Sequence, residues 1–420
     1  MTKHLTPDDL KADEGSDEAV ISELERAGTP PEAITERRLP DTISTRRRRI
    51  PKELGQIVLV LQGGGALGAY QIGAYQALHE AGVEPDWVIG TSIGAINASL
   101  IAGNAPEARL ERLGEFWSRM EHSPWVQMLG AWPLVGPLAM NLTTIAQGIP
   151  AFFRPNPAAF LGLQMPLGSE SAGYYDTSPL ARTLSELVDF NRINGRGTRL
   201  TVGAANVRTS EMRYFDNRDM DLDIRHVMAS GALPPAFPAV RIGGDLYWDG
   251  GILSNTPVEA VFDDDPRKSS VIFAVHIWNP QGPEPDTIWQ VMGRQKDIQY
   301  SSRAVSHIAR QKQIHRLRHV IAELVRRLPE TAQKSEAVQE LAAYGCLTRM
   351  HVVRLLAPPF EGEDHTKDID FSPRGIRRRW EAGYADTNRA LELAPWSGEF
   401  DPVEGFILHE ARPGVMMTAG

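Results

Sequence analysis

"LQGGGALGAYQIGAYQALHEAG", residues 61–82, opens on three consecutive glycines, adds a fourth at Gly68 and runs on into an amphipathic helix. Taken as Gly63, Gly65 and Gly68, the glycines satisfy G-x-G-x-x-G, the turn that cradles a dinucleotide pyrophosphate. Main-chain amides freed of side chains can equally hold the oxyanion of an ester under attack. The stretch before them, "QIVLVLQ" (56–62), is apolar and rich in β-branched residues, as expected for a strand buried on both faces of a parallel sheet. The stretch after them, "PDWVIGTSIGAINASLIAG", predicts a second strand that breaks at Gly90 and restarts as a helix after Ser92. Two consecutive strand–turn–helix units predict an α/β fold with a mainly parallel central sheet flanked by helices.

The end of the second strand separates the two readings of the glycines. A dinucleotide site needs an acidic residue there to bond the ribose hydroxyls. Glu84 and Asp86 come too early, and the strand ends instead on Gly90-Thr91-Ser92-Ile93-Gly94, which is G-x-S-x-G. In that pattern the serine sits on a tight strand-to-helix turn whose flanking glycines remove clashing side chains. The helix dipole behind it favours the negative charge that builds up during attack. Taken alone, the pentapeptide also fits a plain serine N-cap. In a parallel sheet, however, the turns after the first and second strands open at the same edge, so Gly64, Gly65 and Ser92 can converge. A base is offered by "GGDLYWDGGILSNTP", where Asp249 closes a strand and Gly250 and Gly251 follow. Asp-Gly-Gly on its own is ordinary turn chemistry.

Four motifs stand in one order: "GGGALG" (63–68), "GTSIG" (90–94), "ASGALPPAFP" (229–238) and "DGG" (249–251). In this the chain resembles the patatin-like phospholipase family, from Ile57 to about residue 280. The resemblance implies a three-layer α/β fold and a serine lipid acyl hydrolase with a Ser92–Asp249 dyad. Gly64 and Gly65 then become the oxyanion donors, and Gly63, Gly68, Gly90, Gly94, Gly250 and Gly251 the motif glycines. It implies a lipid or acyl-ester substrate and neither metal nor organic cofactor. A thioesterase or polyester hydrolase of the same fold, or a catalytically silent lipid-binding scaffold, are the alternatives. Ala66 and Leu67 stand where several members carry Arg or Lys, which weakens the expectation of a phosphate headgroup. "DFSPRGIRRRWEAGYADTNRALE" resembles an extension carried by some bacterial members.

Composition narrows the setting. A net charge of −9 over 420 residues argues against nucleic acid as a partner. The single cysteine, Cys346, fits a reducing cytoplasm, and neither a secretory signal nor a membrane span is legible, so membrane contact is expected only peripherally, at the inner face. Residues 1–50 read as a charged flexible arm, with the Arg46–Arg49 run as solvated linker; 57–280 as the catalytic domain; and 288–420 as a mostly helical extension with one added strand at "RMHVVRLLAP". Further strands are expected at "RLTVGAANVRT", "MRYFDN", "LYWDGG" and "SVIFAVHIW". Between Ser123 and Phe153 no side chain is charged. This segment, with Trp125, Trp132 and Phe152, suits a buried insertion or an apolar cover over an acyl cleft equally well. Ile314, Leu317, Ile321, Leu324 and Leu328 form a helical stripe that predicts docking onto the main domain, with a subunit contact between copies next and a membrane surface third. His276 would permit a Ser-Asp-His order but sits inside a strand-like run, and His315 and His319 are expected to be solvated or capping.

Overall fold

Strands follow along the chain as β1 (Gln56–Leu61), β2 (Trp87–Thr91), β3 (Arg199–Asn206), β4 (Met212–Asp216), β5 (Val240–Ile242), β6 (Asp245–Asp249), β7 (Ser270–His276), β8 (Met350–Leu356), β9 (Phe406–Arg412) and β10 (Val415–Ala419). The helices that position the site are α1 (Ala69–Glu80), α2 (Ile93–Ala102), α3 (Pro106–Met120), α4 (Ile224–Ser230), α5 (Ile288–Arg327) and α6 (Pro373–Leu393). The structure, a computed structural model, describes residues 50–121, 143–162, 164–401, 404–412 and 415–419. These belong to one compact unit, Arg47–Gly420. The expected arm with Arg46–Arg49, and residues 123–142 of the uncharged segment with Trp125 and Trp132, lie outside the described residues.

The strands join in one ten-stranded sheet in the order β10-β9-β8-β7-β1-β2-β3-β6-β5, with β4 on the free part of β3. From β9 across to β3 all pairings are parallel, and β10, β4, β6 and β5 run against their neighbours. Val58 to Leu61 of β1 have no exposed surface, because the strand has neighbours on both edges and a layer on each face. Each such side chain contributes about 1.5–3 kcal/mol by burial. That explains why β1 reads as uninterrupted Val and Leu. The chain leaves β1 toward β2 but leaves β7 toward β8, on the other side. Strand order therefore reverses between β1 and β7, and the crevice outside their carboxyl ends is where α/β sheets bind ligands.

Residues beyond 288 add three strands rather than the one expected. The sequence of β9 gives little signal because polar residues interrupt it, and β8 supplies their partners: His351 Nδ1 meets His409 Nε2 at 3.1 Å, and Arg354 pairs with Glu410 at 2.9 Å. The stripe predicted to dock α5 is only partly covered: Ile314 and Ile321 are half-buried, while Leu317 is 57% and Leu324 60% exposed. The helix docks instead through Ile308, His315 and His319, all buried. The two histidines are thus neither solvated nor caps; His315 Nε2 meets the Thr348 carbonyl at 2.8 Å and both rings lie against Gly405. Burial holds both imidazoles below their usual pKa, so neutral rings act here as apolar plates. Helix α6 packs on α1 and bonds it through Tyr70 to Asp386, Trp380 to Gln76 and Tyr384 to Glu80. Among the described residues no helix is long and apolar enough to cross a membrane.

Candidate active site

Ser92 occupies the turn between β2 and α2 with φ +56° and ψ −128°, a conformation that L-residues adopt only at a cost. Backbone strain of this kind amounts to about 1–3 kcal/mol and persists where the surroundings enforce it. The enforcement is visible. At Gly94 a β-carbon would stand 2.2 Å from the Leu61 carbonyl oxygen, so only glycine lets α2 start this close to the end of β1. The Ser92 amide donates to Ser230 Oγ at 2.9 Å, and that hydroxyl donates to the Gly203 carbonyl at 2.6 Å. Ser230, the last residue of α4, has no exposed surface and ties the turn to β3.

Strand β3 also delivers Asp249. Gly203 is in register with Thr91 of β2, and the next residue, Ala204, with Asp249 of β6. The carboxylate thereby arrives beside the residue that follows Thr91. Asp249 is 2% exposed, and burial pushes its pKa up to about 7. The Gly251 amide, donating to Oδ1 at 2.7 Å, and the Ser92 hydroxyl both oppose that rise. A carboxylate poised near neutrality and facing a serine hydroxyl has the properties of a general base.

The glycine loop is fixed by groups that sequence reasoning assigned no role. Gln62 has no exposed surface; its Oε1 accepts from the Ile277 and Trp278 amides at 2.6 and 3.0 Å, and its Nε2 donates to Thr256 Oγ1 at 2.7 Å. The Gly63 carbonyl accepts from Trp278 Nε1 at 2.8 Å and Asn255 Nδ2 at 3.0 Å. Because a trans peptide is planar with its C=O and N–H opposed, pinning the Gly63 carbonyl directs the Gly64 amide the other way. Neither that amide nor the Gly65 amide donates to an acceptor among the described residues. A polar residue directly after the apolar run Ile57–Leu61 was the available signal for Gln62, and Ser230 and Asn255 lie inside or just after motifs already quoted.

Ser92, Asp249, Gly63, Gly64, Gly65 and Gly251 share one cavity of about 190 Å³. Its other walls are mostly apolar and include Phe152, Phe153 and Phe237, so Phe152 and Phe153, at the end of the uncharged segment, are both buried and cavity-lining. Gly68 lies behind the loop, against Ile93 and Trp117, and Gly90 and Gly250 lie behind the elbow and the Asp249 turn. His276 ends β7, is buried with neither ring nitrogen bonded among the described residues, and does not line the cavity. Burial and the nearby Arg354 charge hold it well below the usual imidazole pKa. Glu84 pairs with Arg109 and His79, and Asp86 accepts the Ile57 amide at the start of β1, the opposite end of the sheet from the glycines. The acid that a dinucleotide site requires is thus not supplied by either. Among the described residues no group of three or more His, Cys, Asp or Glu gathers as a metal site would require.

Ser230→Ala leaves the Ser92 amide and the Gly203 carbonyl without their buried partner, at a cost of about 1–3 kcal/mol. The expected result is a melting temperature lowered by a few degrees together with slower fluorophosphonate labelling, both measurable on one preparation. Unchanged labelling at a lowered melting temperature would confine Ser230 to the core.

A "Patatin-like phospholipase" family model matches residues 59–262, and a second model described as "Patatin phospholipase" matches residues 298–403. Patatin-like phospholipase domain-containing protein 6 of Mus musculus is 26% identical over 204 residues, 48% of this chain and 12% of that protein. Lysophospholipase NTE1 of Yarrowia lipolytica is 26% identical over 235 residues, 53% of this chain and 13% of that protein. Lysophospholipase nte1 of Aspergillus terreus is 55% identical over 47 residues, 11% of this chain and 3% of that protein. The chain therefore matches only about an eighth of the length of the first two relatives. Among solved structures, VipD from Legionella pneumophila aligns with a TM-score of 0.33 at 18% identity, covering 80% of this chain and 67% of that one. With the glycine loop, the G-x-S-x-G elbow and the Asp-Gly-Gly turn meeting in one crevice inside the matched residues, the chain belongs to the patatin-like phospholipase family.

Proposed function

We propose that the protein is a serine acyl hydrolase acting on lipid esters, with Ser92 as nucleophile, Asp249 as general base and the Gly64 and Gly65 amides as the oxyanion hole. One observation carries this reading: the serine, a carboxylate with a pKa near 7, and two amides without an acceptor among the described residues line a single, mostly apolar cavity. Asp249 accepts the Ser92 Oγ proton as Oγ attacks the ester carbonyl. The oxyanion rests on the two amides, and the leaving alkoxide takes the proton back from Asp249 as the acyl–serine forms. Water then gives a proton to the same carboxylate and attacks the acyl–enzyme; the proton returns to Ser92 as the acid departs. No step calls for a metal or an organic cofactor.

Residues 57–280 act as the catalytic domain in this reading and 288–420 as its extension, with substrate drawn from a lipid surface by peripheral contact. The relatives named as phospholipase and lysophospholipase support a lipid substrate class. A fluorophosphonate probe should label the protein, and the adduct should map to the peptide carrying Ser92. An acyl-ester panel across chain length and headgroup then ranks lipid against thioester. A protein that neither labels nor cleaves any ester would be a lipid-binding scaffold.

Phe152 provides a further check. Its ring stands 5.4 Å from Phe153 and 6.0 Å from Phe237 in the cavity wall. Phe152→Ala is expected to destabilise the fold by about 3–5 kcal/mol, as for other buried Phe truncations. If the ring also holds the acyl chain, activity on long esters falls several-fold more than on short ones, since each buried methylene contributes about 0.8 kcal/mol. A lowered melting temperature with an unchanged long-to-short ratio assigns Phe152 to the core alone.

A further inference from the structure

Residues 57–280 do not close the cavity beside Ser92 by themselves. Tyr300 of α5 and Asp368, Ile369 and Phe371 of the segment before α6 line it too. At Gly65, where φ is +55°, a β-carbon would stand 2.2 Å from the Asp368 carbonyl oxygen, so this segment lies directly on the glycine loop. Two crossed ion pairs strap it to α5: Lys296 Nζ is 2.7 Å from Asp368 Oδ1, and Lys367 Nζ is 2.7 Å from Asp297 Oδ1. Lys296 also donates to the His365 carbonyl at 2.8 Å.

Helix α5 is tied to the glycine loop in turn. The Tyr300 carbonyl accepts from Gln62 Nε2 at 3.2 Å and Asn255 Nδ2 at 3.4 Å. The Tyr300 ring lies 4.9 Å from that of Trp278, the residue whose indole N–H holds the Gly63 carbonyl. At the other end of the segment Phe371 is buried, its ring 6.2 Å from both Trp117 and Phe152. Ile369 lies between the strapped Asp368 and the buried Phe371, is only half-buried, and borders the cavity. An apolar side chain held in place on both sides and facing a cavity with a nucleophile can limit how far an alkyl chain extends.

We propose that Lys367–Phe371 forms a wall of the acyl-binding site and that Ile369 sets the chain length it accepts. This gives the C-terminal region a role in substrate selection, and it rests on the serine-hydrolase reading above. The test compares the parent with Ile369→Trp and Ile369→Ala, using the full chain and p-nitrophenyl esters from acetate to palmitate. Ile369→Trp should lower the long-to-short ratio of kcat/KM by about tenfold, the loss expected when roughly two methylenes no longer bury. Ile369→Ala, which removes side-chain bulk without adding any, should raise the ratio or move the optimum to longer esters; it decides the matter if the Trp variant does not fold. Fluorophosphonate labelling is followed in parallel. Ratios within about twofold of the parent in the folded variants, with labelling intact, overturn the role of Ile369. A parent that does not label at all overturns the hydrolase reading instead.

Discussion

Ser92→Ala is expected to abolish covalent labelling and to lower ester turnover by about 10⁶-fold, the loss seen when other serine hydrolases lose the nucleophile. The fold should survive. The amide of residue 92 still donates to Ser230, and the main-chain approach that needs Gly94 involves no side chain of residue 92. Ser92→Gly carries the test further. Serine at φ +56° holds a conformation that glycine adopts freely, so the glycine variant should be equally inactive yet more stable than the parent, by about 1–2 kcal/mol. An elbow retained for chemistry predicts this opposition of stability and activity. Thermal melts and turnover on the three proteins are sufficient. Appreciable turnover in a folded Ser92→Ala protein would remove the nucleophile assignment, while a glycine variant less stable than the parent would show that the strain is illusory.

Local patterns carried most of what could be anticipated. A short run of apolar side chains with no polar alternation fits a strand buried on both faces, so β1, β2 and β7 were legible, and with them the edge where the turns meet. The residues that orient the loop were harder to see. Gln62, Trp278 and Tyr300 lie far apart in sequence and act through hydrogen bonds that only the β1–β7 pairing brings together. The partly exposed stripe on α5 misled for a related reason: periodicity reports an apolar face, but the most deeply docked face of this helix is made partly of neutral histidines, which hydropathy counts as polar. The same limit hid β9, whose His409 and Glu410 are acceptable in a sheet only because β8 holds their partners.

Asp249→Asn should lower turnover by about 10²–10⁴, the usual value of general-base assistance, while raising stability at neutral and alkaline pH. The reason is the direction of its pKa. Burial raises the carboxyl from 3.8 to about 7, so the folded protein holds this proton through a range in which the unfolded chain has released it. Below about pH 4 both states are protonated and the group is neutral in the balance. As pH rises from there to 7 the unfolded state is favoured progressively, and above 7 the folded protein carries a buried carboxylate costing on the order of 4 kcal/mol, at about 1.4 kcal/mol per unit. Asparagine keeps an Oδ1 for the Gly251 amide and never ionises. The melting temperature of the variant relative to the parent should therefore climb between pH 4 and 7 and level off beyond. In the parent, kcat/KM should rise with pH on a limb near 7 that the variant lacks. If the melting difference were flat across that range, Asp249 would titrate normally and could not be the poised base; if the limb persisted in the asparagine variant, some other group would own it.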